Sequence, residues 1–211
     1  MFFRIGTMQN SIAYNLAIEK FDAENALDPN TEIVDGSPRP RELVYAERLS
    51  AWVLKLAPDA SETLRLAARC QHICRWKIPR DTYPRTRAGY LRWRSDLKEF
   101  HAQTAGRILR DAGYDDATVQ KVQDLNRKKN FPGDRDSRHL EDALCLVFLE
   151  FQFALLAGRM DEDKMINAVQ KSWKKMTPAA HATALALPLN TRELALIQRA
   201  LAPGTPDSSA S

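Results

Sequence analysis

The sequence predicts an all-α fold. Apolar residues recur at spacings of three and four along most of the chain, which is typical of amphipathic helices. No segment shows the alternation of strands and helices of an α/β protein, and no pair of strands is joined by hairpin chemistry. Most of the 8 glycines and 11 prolines fall between the periodic segments, where they end helices. We therefore expect a bundle of helices joined by short loops.

The first half of the chain holds four predicted helices. They span residues 11–26, residues 41–56, a segment that begins at Asp59 or Ser61, and residues 89–112. Two proline-containing stretches, 28–40 and 76–86, separate them and are expected to be loops. Gly113 follows the fourth helix in the position of a C-terminal cap.

The second half continues the helical pattern. A helix begins at Asp115 or Asp116, and a polar loop at 128–138 follows it. Residues 139–156 are almost continuously apolar and are expected to form the central buried helix. Two more helices are predicted at 161–176 and 191–201. We expect one domain at 1–203 and a disordered tail at 204–211.

The composition is that of an ordinary globular protein. Of its 211 residues, 44% are hydrophobic and 27% are charged, and the net charge is only +4. The 3 cysteines are an odd number and lie within helical patterns, which indicates reduced thiols rather than a disulfide framework. We find no secretory signal and no apolar run long enough to span a bilayer. The expectation is a soluble cytoplasmic protein without a membrane partner.

Four predicted helices carry polar residues within apolar surroundings. Histidine and carboxylate side chains that converge from separate helices are the usual ligands of Zn²⁺, Mn²⁺ or Fe. Each position also has an ordinary interpretation, namely a hydrogen-bonded buried histidine, a carboxylate that complements a helix dipole, or half of an ion pair. The four positions are Gln71-His72, His101, Glu141-Asp142 and Glu47-Arg48.

Four phrases resemble the HD-domain superfamily of helical metal-dependent phosphohydrolases: ERLSAWVLKLAPDAS, LAARCQHICRW, FHAQTAGRILRDAGYDDATVQKVQDL and LEDALCLVFLE. In that superfamily a His on one helix, a His-Asp dyad on the next and a late Asp bind the metal. The resemblance covers about residues 10–157 and implies an HD-like helical core, with the helices at 161–201 added to it. It matches the chain at these positions: Tyr45 with Glu47 near the first His, Gln71-His72 at the dyad, His101 at a further His of many members, and Asp142 at the late Asp.

Within that superfamily the chain looks most similar to an uncharacterised bacterial and fungal family of unknown function. The phrases FDAENALDPN, QHICRWKIPR, GYLRWR and LEDALCLVFLE carry this likeness. Some fungal members of that family are labelled glutamyl-tRNA synthetase. This chain has neither the nucleotide-binding α/β domain nor the His-x-Gly-His-like motif of such an enzyme, so we expect no synthetase activity.

The stretch 65–98 is strongly basic. It holds ten Lys or Arg residues against two Asp, a local charge of +8 that is offset by the rest of the chain. Guanidinium groups suit phosphate, and the aromatic residues interleaved with them suit bases or apolar parts of a ligand. Basic side chains that merely cover apolar surface are the alternative. The candidate substrate-binding residues are Arg75, Arg80, Tyr90, Arg94 and Lys98, joined by Lys128 from a second basic cluster at 127–129.

Two functional hypotheses follow. In the first, implied by the resemblance, the protein is a divergent HD-like metal-dependent hydrolase that acts on a small phosphorylated compound or a nucleotide. A divalent ion (Mn, Fe, Zn, Co or Mg) would activate water. In the second, the altered dyad leaves a catalytically degenerate module that binds a nucleotide, RNA or another anion without turnover; nucleic acid is the less favoured partner. The first hypothesis assigns His72, His101, Asp142 and Glu47 to the metal and Glu141 and Arg75 to catalysis.

Overall fold

The computed structural model describes residues 2–202, with side chains from residue 12 onward. Within this range the chain is predominantly helical, which confirms the all-α prediction. The predicted tail at 204–211 lies outside the described residues. The described residues fall into two compact units that divide between Ser137 and Arg138. The prediction of a single domain stays a prediction, and each unit is described by itself.

Five helices and a small hairpin make up most of the first unit. Helix α2 packs against α3, α3 and α4 both pack against α5, and α1 contacts α2, α3 and α4. The apolar stripes of these helices meet in a core that includes the fully buried Phe21, Leu49 and Leu64. The elements are α1 Phe2–Ala26, β1 Thr31–Val34, β2 Ser37–Pro40, α2 Arg41–Leu56, α3 Glu62–Cys70, α4 Arg87–Asp111 and α5 Asp116–Arg127.

The ends of these helices follow the sequence signals. Ser61 accepts a hydrogen bond from the backbone of Leu64 and begins α3, and Thr86 and Asp115 cap α4 and α5 in the same way. The predicted cap at Gly113 is confirmed. Its φ is +94°, and its N–H donates to the Arg110 carbonyl, as in a Schellman motif.

The segment between α1 and α2 corrects the sequence analysis, which expected a loop without strands. Strands β1 and β2 pair antiparallel, with Thr31 opposite Pro40. Both turn residues, Asp35 and Gly36, have positive φ, and Asp-Gly is a strong signal for such a turn. The hairpin returns to its starting point, where the Arg41 N–H donates to the Asn30 carbonyl at 2.9 Å.

The second unit contains the C-terminal helices. Helix α6 Arg135–Val147 spans the division between the units, and a π-helical turn Phe148–Gln152 and α7 Phe153–Ala157 follow it. The predicted continuous helix at 139–156 is therefore interrupted. Helices α8 Glu162–Trp173 and α10 Thr191–Leu201 pack against each other and against α7. Helix α9 Pro178–Leu185 was not predicted, because its alanine-rich sequence has no apolar stripe.

None of the helices within residues 2–202 has a stretch that is both long enough and apolar enough to cross a lipid bilayer.

Candidate functional site

The turn after α3 positions the central residue of the site, His72. Residue Cys74 in this turn has a φ of +53°, a left-handed conformation that a non-glycine residue rarely adopts. Two contacts with α1 hold it there: its N–H donates to Asn25 Oδ1 at 3.2 Å, and its thiol donates to Glu24 Oε2 at 3.1 Å. The turn leaves His72 and Arg75 facing a common partner on α2.

That partner is Glu42, in the first turn of α2. Its Oε2 lies 3.6 Å from His72 Nδ1, and its Oε1 lies 3.8 Å from Arg75 Nε. The backbone N–H of Glu42 donates to Asp28 Oδ2, which fixes the start of the helix. Only 10% of the Glu42 side chain is exposed. This burial raises the carboxyl pKa to about 7, so the group exchanges a proton near neutral pH.

The imidazole of His72 is uncharged. It stacks on the Tyr45 ring, with the centroids 4.1 Å apart and the planes 11° from parallel. Burial lowers its pKa well below the ordinary value, and repulsion by Arg75, Arg94 and Lys128 lowers it further. Because 24% of the side chain remains exposed, a ligand can reach it.

A second uncharged histidine, His101 of α4, lies behind the first, with ring centroids 5.8 Å apart. Its Nδ1 is 2.7 Å from the Ile73 carbonyl oxygen, which can only accept, so Nδ1 carries the hydrogen. Burial lowers its pKa to about 3. The bare Nε2 is therefore an acceptor, and it is buried without a hydrogen-bond partner, as is Gln71 Oε1.

Positive charge dominates around these groups. Arg94 is exposed on α4 and makes no ion pair with any residue in the described part of the chain. Lys128 directly follows α5 in a left-handed conformation. Among the residues that the structure describes, Glu42 is the one acidic side chain within ion-pair distance of His72 and Arg75. We call the following set the His72 pocket: Glu42, Tyr45, His72, Arg75, Arg94, His101 and Lys128.

Aromatic side chains continue from the pocket. The guanidinium carbon of Arg75 lies 5.0 Å from the Trp93 ring centroid, and the Trp93 and Tyr90 rings are 5.9 Å apart. Arg80 lies over both rings, at 5.9 Å from Trp93 and 6.0 Å from Tyr90. Of the candidate substrate-binding residues, Arg75, Arg94 and Lys128 thus belong to the pocket, and Arg80 and Tyr90 adjoin it. Lys98 lies farther along α4, partly exposed.

The candidate metal ligands do not all lie at one site. His72 and His101 come together, whereas Glu47 accepts a hydrogen bond from Arg39 of β2 at 2.8 Å. The carboxyl group beside the histidines is Glu42, which the sequence analysis missed. One signal could have found it: Glu42 lies three residues before Tyr45, so the two share a face of α2, and Glu47 does not lie on that face.

The other two acidic candidates belong to the second unit. Both oxygens of Asp142 are used there: Oδ1 accepts from the Thr177 N–H at 2.8 Å and Oδ2 from its hydroxyl at 2.7 Å. These contacts fix the start of α9. Glu141, the proposed catalytic carboxylate, accepts from Lys175 Nζ at 3.1 Å. Each therefore has a structural role within its own unit.

The side chains of the His72 pocket fit a divalent ion poorly. Among the residues that the structure describes, no three His, Cys, Asp or Glu side chains form a group that could hold a metal ion. In the His72 pocket the two imidazoles and Glu42 are accompanied by three cationic side chains, which repel a further cation. These residues suit an anion better than a metal, and metal binding stays a prediction.

Comparison with known proteins identifies a family but no function. No curated protein matches the chain, and no solved structure does. A family model described as a domain of unknown function, DUF4202, matches residues 15–197, which include the whole His72 pocket. The chain belongs to the DUF4202 family.

Proposed function

We propose that the His72 pocket binds a small phosphorylated ligand without turnover. The observation that carries this proposal is the charge around His72. Burial lowers the pKa of His72 most, and the positive charges of Arg75, Arg94 and Lys128 lower it further, so the imidazole itself is neutral. The pocket therefore presents a concentrated positive charge to a group that reaches the exposed edge of His72.

The negative charge of a phosphate monoester complements the positive charge of the His72 pocket. Such a group carries about −1.5 to −2 charges at pH 7. The planar guanidinium groups of Arg75 and Arg94 can each donate two parallel hydrogen bonds to phosphate oxygens. Glu42 opposes this charge only in part, because its pKa of about 7 leaves it substantially protonated at neutral pH. The resemblance to phosphohydrolases also favours a phosphorylated ligand.

Titration calorimetry on the full chain in EDTA tests the proposal, with inorganic phosphate and ribose 5-phosphate as probes. The test variant is Arg94→Gln, and the matched control is Arg92→Gln on the same helix, where the exposed Arg92 lies 3.9 Å from Asp96. We expect Arg94→Gln to weaken binding roughly tenfold or more, as for loss of one charge-assisted hydrogen bond. Arg92→Gln should leave the affinity unchanged.

Three outcomes would overturn the proposal. The first is no binding of either probe at millimolar concentration. The second is equal weakening by both arginine variants, since that would indicate diffuse surface charge. The third is binding or phosphate release that requires added Mn²⁺, Co²⁺ or Fe²⁺, which would favour the metal-dependent hydrolase instead.

A further inference from the structure

A row of side chains leads from the His72 pocket to the protein surface. Arg75 contacts Glu42 at one end and lies 5.0 Å from the Trp93 ring at the other. The Tyr90 ring follows, 5.9 Å from Trp93 and tilted by 45°. Tyr90 and Arg94 are four residues apart on α4, so they are neighbours on one face of the helix.

The support under this row is fixed. Trp93 is buried, and its indole Nε1 donates to the Ile78 carbonyl at 3.0 Å. Arg80 donates to the carbonyl oxygens of Tyr83 and Pro84, each at 2.9 Å, which holds its guanidinium group beside the Tyr90 ring. Trp93 and Arg80 therefore form an ordered support beside the Tyr90 ring.

Tyr90 itself is open to solvent, with 45% of the residue exposed. An exposed aromatic ring with an arginine beside it offers a stacking surface for the flat face of a nucleobase, and such stacking does not depend on base identity. An alkyl or sugar phosphate has no flat group that could use it.

We propose that the ligand is a nucleoside phosphate, with its phosphate at Arg75 and Arg94 and its base stacked on Tyr90. This inference rests on the proposed function, because it assigns the phosphate to the His72 pocket. The spacing supports it. Since Tyr90 and Arg94 are adjacent on α4, one mononucleotide can contact both without a longer chain of nucleotides.

The test compares AMP and UMP with ribose 5-phosphate, by calorimetry on the full chain. We expect each nucleotide to bind about tenfold more tightly than ribose 5-phosphate, the effect of stacking one base. Tyr90→Leu should abolish this difference, so that AMP, UMP and ribose 5-phosphate bind with similar affinity. Tyr90→Phe should retain it. Leu91→Ala is the matched control, because Leu91 is the next exposed residue of the same helix.

The outcomes separate this inference from the proposed function. If neither ribose 5-phosphate nor the nucleotides bind, the phosphate pocket itself is refuted. If ribose 5-phosphate binds as tightly as AMP, or if Tyr90→Leu does not change their ratio, the stacking site is refuted and the pocket stands. A much tighter, strongly salt-dependent binding of an oligonucleotide would replace the mononucleotide with a nucleic acid strand.

Discussion

Replacing Glu42 by glutamine tests whether burial governs this carboxyl group. The side chain keeps its shape but can no longer ionise. In the folded protein the pKa of Glu42 is about 7, against 4.5 for an unperturbed carboxyl. At about 1.4 kcal/mol per pKa unit, ionising the buried group lowers the free energy of unfolding by roughly 3 kcal/mol.

The sign of the pH dependence follows from proton binding. Between pH 4.5 and about 7 the folded state holds the Glu42 proton that the unfolded state has released. The stability contributed by this proton is complete below pH 4.5 and is lost as the pH rises through 7. The glutamine variant has no such loss. Glu42→Gln should therefore exceed the stability of the wild type by less than about 1 kcal/mol at pH 5 and by roughly 3 kcal/mol at pH 8.

Urea unfolding at pH 5, 6, 7 and 8 measures this difference. Both proteins carry Trp173→Phe, so that the three remaining tryptophans, all in the first unit, report the transition. Glu47→Gln is the control, since Glu47 lies on the same helix but 35% of its side chain is exposed and it is paired with Arg39. A stability difference that does not change with pH would refute the reasoning. So would a Glu42→Gln variant less stable than the wild type at pH 8, because ionised Glu42 would then stabilise the fold.

Three other predictions concern the same unit. Between pH 6.5 and about 3 the unfolded state protonates His101 and the folded state does not, so this group lowers the wild-type free energy of unfolding by about 1.4 kcal/mol per pH unit as the pH falls. His101→Asn should remove that loss. Urea unfolding that gives the same pH dependence for both proteins would contradict this. Gly89→Ala should lower stability by about 2 kcal/mol, since its Cβ overlaps a backbone oxygen, whereas Gly133→Ala should have little effect; equal melting temperatures would contradict this. Burial raises the thiol pKa of Cys70 to about 12 and that of Cys74 to about 11. A disulfide reagent should therefore modify these thiols only when the protein unfolds. Rapid modification of the folded protein at pH 8 would contradict this.

Local sequence signals predicted most of the helical fold. Helix α2 begins and ends where its apolar stripe does, and Gly113 ends the α4 region as a glycine with positive φ should. The hairpin was missed because the second strand, Ser-Pro-Arg-Pro, lacks the alternation and β-branched residues that mark a strand. Helix α9 was missed for a similar reason: its start depends on Thr177 and Pro178 rather than on an apolar stripe.

The site was less accessible from the sequence. The basic residues could be found by counting charge, and His72 and His101 through a family resemblance. Glu42 could be found by neither route; its position on the Tyr45 face of α2 was the one sequence signal, and its burial depends on contacts between distant parts of the chain. The turn at Cys74, held by Asn25, brings His72 and Arg75 to it.

The hydrogen bond from the Arg41 N–H to the Asn30 carbonyl brings the two ends of the hairpin at 31–40 together. The chain leaves and re-enters at hydrogen-bonded neighbours, and Asp28 holds the start of α2 independently of the strands. The length of the hairpin can therefore vary with little effect on the position of Glu42. The exposed turn at Asp35-Gly36 is accordingly the place to insert a tag or a fluorophore that reports on ligand binding, because the insertion changes no residue of the His72 pocket.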